Sequence, residues 1–518
     1  MMTRIDFKAL AKCLVVLALL GGLSSGSWGQ IKSLCESRQG LGQNNRRLDR
    51  FTKQLEDLRQ SLKIPGLSAA IVRDQKVVWA KGLGFADIEK RIPATPDTPY
   101  RIASLTKTFA STLLMQLVEQ GKLDLDEPMS KYSSGFKNDA VKVRHVFTHT
   151  SEGTPGDRYH YSGNRFASLT TVIEKVSDRR FRELLANNIL DKLDMTNSVP
   201  GQNILAETGR WSDSLSKETL NRYEGVLARL ANPYILYGSN EMIPVSYPPL
   251  GISASAGLIS TVIDLAKYDA AVDRHVLLKQ ETQERVFTPA VSNDGRTLPY
   301  GLGWFIQQHA GLRLIWHYGY WPQFSALILK VPEKSITFIL LANSDGLSAP
   351  FGLGAGDVMR SPFACTFFRL FVVEDSTRRP LSDPRWSQNV EEFSAELSRF
   401  EGQADGYTYE CEVAAHTAVT KWLKRKRESA RTAVKVDPKI YDAYLGQYAY
   451  AILTVTREGD RVFAQLRGQQ KFEIFPKSET EFFWKVVDAQ VTFVKNEAGV
   501  VVKAIHRQHG EFEAPKIK

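Results

Sequence analysis

Long apolar runs are missing from this sequence of 518 residues. Residues 14–23 form a short apolar run, but a transmembrane helix needs about 18 consecutive apolar residues or more. Overall, 43% of the residues are hydrophobic, 24% are charged and 10% are aromatic, which is ordinary globular usage. The composition therefore excludes a polytopic membrane protein, a disordered chain and a collagen-like chain. At roughly 150 residues per domain, the length predicts about two to four domains.

Cysteine is also scarce, with four residues in the whole chain. Cys35, Cys365 and Cys411 follow the amino-terminal segment without any C-x-x-C spacing, so neither a disulfide framework nor a cysteine metal site is expected. Lys32-Ser33-Leu34 precede Cys35 where a lipoprotein signal has small residues. An oxidising compartment permits one disulfide bond, but the sequence does not select its partners.

The amino terminus has the pattern of a signal peptide. Arg4, Lys8 and Lys12 form a positively charged segment before the short apolar run, and residues 24–29 are mostly small. We therefore expect cleavage after Gly29 and export to the periplasm or the medium. An uncleaved membrane anchor is the alternative.

Positive charge exceeds negative charge only slightly, with 67 Lys and Arg against 57 Asp and Glu and a net charge of +10. The excess is dense only at residues 421–427, and Glu410, Glu412 and Glu428 surround that run. The pattern is typical of a solvated helix face, and no nucleic-acid motif accompanies it. We expect no nucleic-acid partner.

Two histidines, His145 and His149, have the i, i+4 spacing of a metal site. The residues between them lack the glutamate of a zinc protease motif, and Val146 and Phe147 are apolar. We interpret both histidines as structural and expect no metal.

The order of apolar and polar residues predicts two architectures in one chain. Residues 51–343 alternate strands and helices, which predicts an α/β domain whose antiparallel sheet is built from both ends of the region, with a helical insertion between them. After Pro438 the strands and turns are closely spaced, which predicts a small antiparallel all-β barrel or sandwich. The predicted segments are a signal peptide (1–29), a leader (30–50), the α/β domain (51–346), an insertion and extended connector (347–437) and the barrel (438–518).

Several patterns in the sequence are shared with serine hydrolases. A G-x-S-x-G pattern occurs at residues 22–26, inside the predicted signal peptide, which excludes a nucleophile elbow there. The pattern S-x-x-K starts at Ser104, Ser134 and Ser214. Only Ser104 opens an amphipathic helix, with apolar residues at helical spacing up to the stop at Gly121.

A serine on the first turn of a buried helix lies at the positive end of the helix dipole, and Lys107, three residues later, shares its face. A free lysine has a pKa near 10.4, so a lysine base at neutral pH must be desolvated. The alternative for S-x-x-K alone is a capping serine with an exposed lysine. Two other motifs favour catalysis: Tyr161-Ser162-Gly163 before a helix, and His317-Tyr318-Gly319 at a strand end.

This ordered set of motifs resembles the active site of the serine β-lactamase and penicillin-binding-protein superfamily, nearest to its class C and esterase-like branch. Further stretches resemble it at residues 147–151, 255–261, 300–304 and 341–345. The likeness covers about residues 51–346 and implies a β-lactamase-like antiparallel sheet flanked by helices. The carboxyl-terminal strands look similar to the small barrel that often follows such domains.

Two positions depart from the β-lactamase pattern. Gly163 stands where β-lactamases and peptidases have asparagine, with Asn164 one place later, and His317 replaces the lysine that helps to hold the substrate carboxylate in those enzymes. Both changes favour the branch of esterases, amidases and D-amino-acid peptidases.

The resemblance implies acyl transfer through a serine ester, without a metal or organic cofactor. It implies Ser104 as nucleophile, Lys107 as base, Tyr161 as proton relay and His317 as a residue that orients this network. The oxyanion would bind the backbone N–H groups of Ser104 and Tyr320, beside Gly319, with Gly163 and Asn164 near the substrate. The partners expected are a small-molecule or peptide substrate and the cell wall; the oligomeric state is left open. The alternatives are a β-lactamase or DD-peptidase, and a non-catalytic binder of cell-wall peptides.

Overall fold

The computed structural model describes residues 45–206, 213, 215–247, 251–373, 407–449, 453–467, 471–508 and 510–517. The predicted signal peptide, Cys35 and Ser214 lie outside the described residues. Within the described part of the chain, no helix combines the length and apolar character needed to cross a membrane.

The described residues of the first part of the molecule form eleven strands. A seven-stranded sheet has the order β3-β2-β1-β11-β10-β9-β8, and two short pairs, β4-β7 and β5-β6, lie beside it. The bounds are β1 Gly66–Arg73, β2 Lys76–Asp87, β3 Ile92–Pro93, β4 Tyr100–Arg101, β5 Tyr234–Tyr237, β6 Glu241–Pro244, β7 Ile259–Ser260, β8 Phe305–His309, β9 Leu312–Trp321, β10 Phe324–Val331 and β11 Ile336–Ala342.

The described helices lie on both sides of this sheet. They are α1 45–61, α2 Thr106–Glu119, α3 Val143–Phe147, α4 Gly163–Ala167, α5 Leu169–Ser177, α6 Phe181–Leu185, α7 Lys217–Ala228, α8 Val262–Asp273, α9 Gln280–Val286, α10 Pro362–Phe367 and α11 Tyr407–Ser429.

The sheet separates two hydrophobic cores. One core packs α2, α5, α6 and α8 against one face, and the other packs α1, α10 and α11 against the opposite face. The central strands β1, β10 and β11 are therefore buried along almost their whole length, which explains their nearly continuous apolar sequences. The antiparallel sheet between helices agrees with the predicted α/β architecture.

The second part of the molecule is an eight-stranded antiparallel sheet in simple chain order from β12 to β19. A bridge between Tyr448 and Lys516 joins its two ends, so the sheet is a nearly closed barrel, as predicted. Its strands are β12 Gly446–Tyr448, β13 Leu453–Glu458, β14 Arg461–Gln465, β15 Phe472–Pro476, β16 Glu481–Trp484, β17 Gln490–Lys495, β18 Val501–Arg507 and β19 Glu511–Pro515.

The described parts of the predicted connector differ from an extended chain. Residues 353–372 form short helical turns and pack into the core on the outer face of the sheet. Phe367 stacks on Phe338 of β11 with ring centroids 4.8 Å apart, and Cys365 in α10 is disulfide-bonded. The segment is a layer of the first domain because its aromatic residues cover apolar sheet surface that would otherwise face water.

Helix α11 links the two parts of the molecule. Trp422 and Leu423 pack into the outer core, whereas Lys421, Lys424 and Arg425 are exposed, as expected for a solvated basic face. At the junction, the Tyr237 hydroxyl donates to the Arg431 carbonyl at 2.6 Å. A cavity of about 530 Å³ lies there, lined by residues of β5, α11 and the barrel.

Candidate active site

Ser104 lies in a short 3-10 turn, Ala103–Leu105, that leads directly into α2. Ala103 has φ +46°, a left-handed conformation that is uncommon for a residue with a side chain. Strained residues of this kind cluster at functional sites. The kink at Ala103 therefore positions the serine hydroxyl at the start of the buried helix.

Lys107 lies one turn further along α2 and reaches back to the serine. Its Nζ donates to Ser104 Oγ at 2.9 Å and to the carbonyl of Ser255 at 3.1 Å. The same ammonium or amine group lies 5.1 Å from the ring centroid of Tyr161 and 5.2 Å from that of Phe166. Ser104 and Lys107 thus have the geometry that a nucleophile–base pair requires.

The surroundings of Lys107 favour its neutral form. The residue is 0% exposed, and its side chain forms no ion pair within the described residues. Burial lowers the pKa of Lys107 to about 7, because desolvation penalises the charged amine. Near neutral pH, a substantial fraction of the side chain is therefore free to accept a proton.

Tyr161 completes this group. Its hydroxyl is buried and faces those of Ser104 and Tyr318, but it completes a hydrogen bond with neither. Burial and the neighbouring Tyr318 hold the pKa of Tyr161 well above its usual value, so the phenol remains protonated. The structure thus brings together three of the predicted residues, Ser104, Lys107 and Tyr161.

His317 on β9 is buried with both ring nitrogens engaged. Nδ1 lies 2.7 Å from the Tyr318 carbonyl, which only accepts, so Nδ1 carries the proton. Nε2 then accepts from the Tyr300 hydroxyl at 2.9 Å. Burial and the nearby Lys107 hold the pKa of His317 well below its usual range. The residue is a neutral part of the framework beside Tyr161, whose ring centroid is 6.4 Å away.

The end of β9 approaches the serine turn closely. A Cβ built on Gly319 would lie 2.2 Å from the Ile102 carbonyl oxygen, so only glycine fits there. Tyr320 follows Gly319 and its side chain is 43% exposed. The close approach of Gly319 brings this end of β9, with Tyr320, near the turn that carries Ser104.

Comparison with known proteins gives the family. A model described as "Beta-lactamase" matches residues 51–356, which is more than half of the chain. The chain belongs to the β-lactamase family. A second model, described as a domain of unknown function, DUF3471, matches residues 430–514 in the barrel.

Relatives extend this family likeness. Penicillin-binding protein 4* of Bacillus subtilis (strain 168) is 22% identical over 485 residues, covering 85% of this chain and 93% of its own. Protein flp of Staphylococcus aureus (strain MRSA252) is 24% identical over 328 residues, covering 55% of this chain and 61% of its own. The octameric penicillin-binding protein homologue from Pyrococcus abyssi has a TM-score of 0.51 at 22% identity, covering 90% of this chain and 99% of that one. The family model establishes the family, and the structural likeness agrees with the fold. This chain is a serine hydrolase of the β-lactamase family.

Gly163 and Asn164 lie at the start of α4 in this β-lactamase-family domain. Nothing lies within 4 Å of a Cβ built on Gly163, and the side chain of Asn164 is exposed. The turn therefore does not carry Asn164 inward to replace the amide that Gly163 lacks.

One residue of the site, His149, was interpreted from the sequence as merely structural. Its carbonyl accepts from the N–H of His160 at 2.8 Å and its Nδ1 accepts from the N–H of Ser162 at 3.2 Å. Its ring packs against Tyr161 with centroids 4.4 Å apart. His149 thus holds the segment that carries Tyr161 through two hydrogen bonds and one ring contact. The sequence indicated a place in the site only through the stretch 147–151, which contains His149 and resembles the β-lactamase superfamily.

The loop before β8 also supports the site. Gly303 has φ +87°, and a Cβ there would lie 2.6 Å from that of Ser111 on α2. Ser111 donates to the Leu302 carbonyl at 2.6 Å. This contact fixes the loop that carries Tyr300, the partner of His317. No group of metal-ligating side chains occurs in the part of the chain that the structure describes.

Proposed function

We propose that this chain is an exported hydrolase that forms an acyl ester on Ser104 and acts on esters or D-amino-acid-type amides. The observation that carries the proposal is the buried Lys107 amine, which contacts Ser104 Oγ at 2.9 Å and has no carboxylate partner among the described residues. A lysine of lowered pKa beside a serine is suited to general-base catalysis near neutral pH.

In acylation, neutral Lys107 takes the hydroxyl proton as Ser104 Oγ forms a bond to the substrate carbonyl carbon. The carbonyl oxygen becomes an oxyanion that accepts from the backbone N–H groups of Ser104 and Tyr320. Collapse of this intermediate breaks the bond to the leaving group, which takes a proton from Tyr161 as Lys107 returns its proton through the hydroxyl network. Water then attacks the ester with the same groups acting in reverse.

The proposed substrate preference follows from the residues around this pair. His317 is uncharged and uses both ring nitrogens within the protein, so it offers no cation to the carboxylate of a β-lactam. Asn164 is exposed and Gly163 has no side chain, so the amide that would hold an acylamino group is missing. These two features favour simple esters and amides over β-lactams.

The test compares kcat/KM for p-nitrophenyl butyrate, a D-amino-acid p-nitroanilide and nitrocefin on protein lacking residues 1–29. We expect the ester or the amide to exceed nitrocefin. Ser104→Ala should abolish turnover, whereas Ser134→Ala, at the exposed serine of another S-x-x-K match, should not. A nitrocefin value above both others would instead indicate a β-lactamase.

Export is part of the same proposal and has its own test. Expression of the full chain in a bacterium should yield a mature protein outside the cytoplasm whose first residue is Gln30. An intact amino terminus in the membrane fraction would instead indicate an uncleaved anchor.

A further inference from the structure

Arg101 is a buried cation near the nucleophile, and its side chain has no hydrogen bond or ion pair with any of the residues that the structure describes. It lies on β4, three residues before Ser104, and is 4% exposed. Its Nε has no hydrogen-bond partner, and no carboxylate pairs with the guanidinium within the described ranges. Its neighbours are aromatic: the guanidinium carbon lies 4.8 Å from the ring centroid of Tyr247 and 5.9 Å from that of Phe324.

Other buried cations of this domain have oxygen partners. Lys330 contacts Asp269 at 2.5 Å, Arg182 donates to Asn203 at 2.6 Å, and Arg369 donates to Gln54 at 3.0 Å. Buried charges are ordinarily paired because desolvation is costly. A guanidinium presents five donors in a planar fork that matches a carboxylate. Arg101 therefore has unused capacity to bind an anion.

The contacts of Arg101 place this capacity beside the reaction centre. The next residue, Ile102, brings its carbonyl against Gly319. Phe324, under the guanidinium, faces Trp321 across the β9-β10 hairpin, and the neighbouring pair is Tyr320 with Ser325. The guanidinium thus lies near the carboxyl-terminal end of β9, where Tyr320, the proposed oxyanion donor, is followed by Trp321.

The orientation of the substrate along β9 follows from Tyr161. This residue is the proposed acid for the leaving group and packs against the other end of the motif, with centroids 5.6 Å from Tyr318 and 6.4 Å from His317. The leaving group therefore occupies the His317 end. The acyl part extends in the opposite direction, past Tyr320 toward the exposed Trp321 and the neighbourhood of Arg101.

We propose that Arg101 binds a carboxylate in the acyl part of the substrate, so that the hydrolase acts on esters or amides of acids that carry a second, anionic group. This inference rests on the proposed function and specifies its substrate class. Aromatic contact with Tyr247 and Phe324 holds the cation in place, and the substrate carboxylate supplies its missing partner.

The test uses two substrates that differ in one charge: the p-nitrophenyl monoester of adipic acid, and the same compound with its free carboxylate methylated. We expect wild-type kcat/KM for the anionic substrate to exceed that for the neutral one by about tenfold or more, the range of a hydrogen bond to a charged group. Arg101→Gln should reduce this ratio by about tenfold.

Arg165→Gln is the matched control. This guanidinium is also near the site, on α4, but it already donates to Ser151 Oγ at 2.7 Å and to the Ser151 carbonyl at 2.9 Å. We expect this variant to keep the wild-type ratio. A fall in the ratio equal to that of Arg101→Gln would show that only the general positive field matters, and would overturn the proposal.

Further outcomes separate the possible failures. Equal loss on both substrates in Arg101→Gln would assign the arginine a structural role only, and a wild-type ratio of one or less would overturn the proposal even if the variant does not fold. A third substrate carries the carboxylate on the leaving nitrophenol; a preference for it that depends on Arg101 would contradict the assigned side. If Ser104→Ala retained hydrolysis, the proposed function itself would fail.

Discussion

Lys107 and Lys330 are two buried lysines of one domain with opposite chemistry. Both are at most 2% exposed. Lys107 contacts a hydroxyl and a carbonyl, and burial lowers its pKa to about 7. Lys330 on β10 lies 2.5 Å from Asp269 and 2.8 Å from Asp273. Although burial alone would lower it, these two carboxylates raise the pKa of Lys330 above its usual value.

The comparison shows that burial alone does not decide the protonation state of a lysine. The partner atoms decide the protonation state. Two carboxylates keep Lys330 charged, whereas the neutral oxygens around Lys107 allow it to lose its proton near neutral pH. The following predictions test this difference, from the largest expected effect to the smallest.

Lys107→Arg should reduce kcat/KM for p-nitrophenyl butyrate by about 10³-fold, within the range for loss of a general base. Arginine keeps the charge and the donors but does not give up its proton in proteins. Lys330→Arg is the matched control and should remain active. If Lys107→Arg retained a tenth of the wild-type activity, a lysine base would be excluded.

Lys330→Met should reduce the free energy of unfolding by about 3–5 kcal/mol, because it leaves the Asp269 carboxylate buried without its cation. Urea denaturation measures this loss. Adding Asp269→Asn to Lys330→Met should recover part of the stability. Recovery would be absent if the lysine contributed only by filling space.

The pH dependence should separate the two lysines. Lys107 is neutral above a pKa of about 7, so kcat/KM should rise about tenfold per pH unit below that value and level off above it. In the unfolded chain the pKa returns to 10.5, so the unfolded state binds more protons between pH 7 and 10.5. The contribution of Lys107 to stability therefore increases with pH in that window.

Lys107→Met should lack this increase, as measured by unfolding at several pH values. Lys330 contributes no such increase, because its raised pKa keeps it charged throughout the window in the folded protein, as it is in the unfolded chain up to near pH 10.5. A pH profile of Lys107→Met that parallels that of wild type would contradict the lowered pKa.

His149→Phe should reduce kcat about tenfold with little change in KM. The phenyl ring still packs against Tyr161, but the N–H of Ser162 loses its acceptor, which costs about 1–3 kcal/mol. His149→Asn keeps an acceptor near the position of Nδ1 and should recover part of the rate. The matched control is His145→Phe, because His145 on α3 accepts at Nδ1 from the N–H of Lys142, the residue before the helix. We expect that variant to lose stability rather than kcat.

The sequence predicted the sheet, the barrel and the group around Ser104 because these depend on local periodicity and on motifs in fixed order. The helix after Ser104 was predicted to be amphipathic, but residues 106–115 of α2 are all buried, since the insertion helices cover the face opposite the sheet. No local pattern contains that information.

Contacts between segments that are distant in the chain could not be predicted from the sequence either. The hydrogen bond between His317 and Tyr300 depends on how a loop folds back along β9. The hydrogen bonds between His149 and the Tyr161 segment join two separate turns. Residues 353–372 were interpreted as an extended connector because of their glycines and prolines. The phenylalanines within this segment are evident from the sequence, but the sequence does not show which apolar surface of the sheet they cover.

The buried segment 353–372 changes where the hydrolase ends. Phe371 contacts Phe51 of α1 with ring centroids 5.0 Å apart, so the chain after β11 packs back against the first described helix. A gene fragment that stops at residue 346 would encode a sheet with one face covered only in part, by α1, and a tendency to aggregate. A recombination event that keeps the hydrolase domain intact should therefore fall after residue 372. The segment that resembles a linker in the sequence belongs in part to this domain.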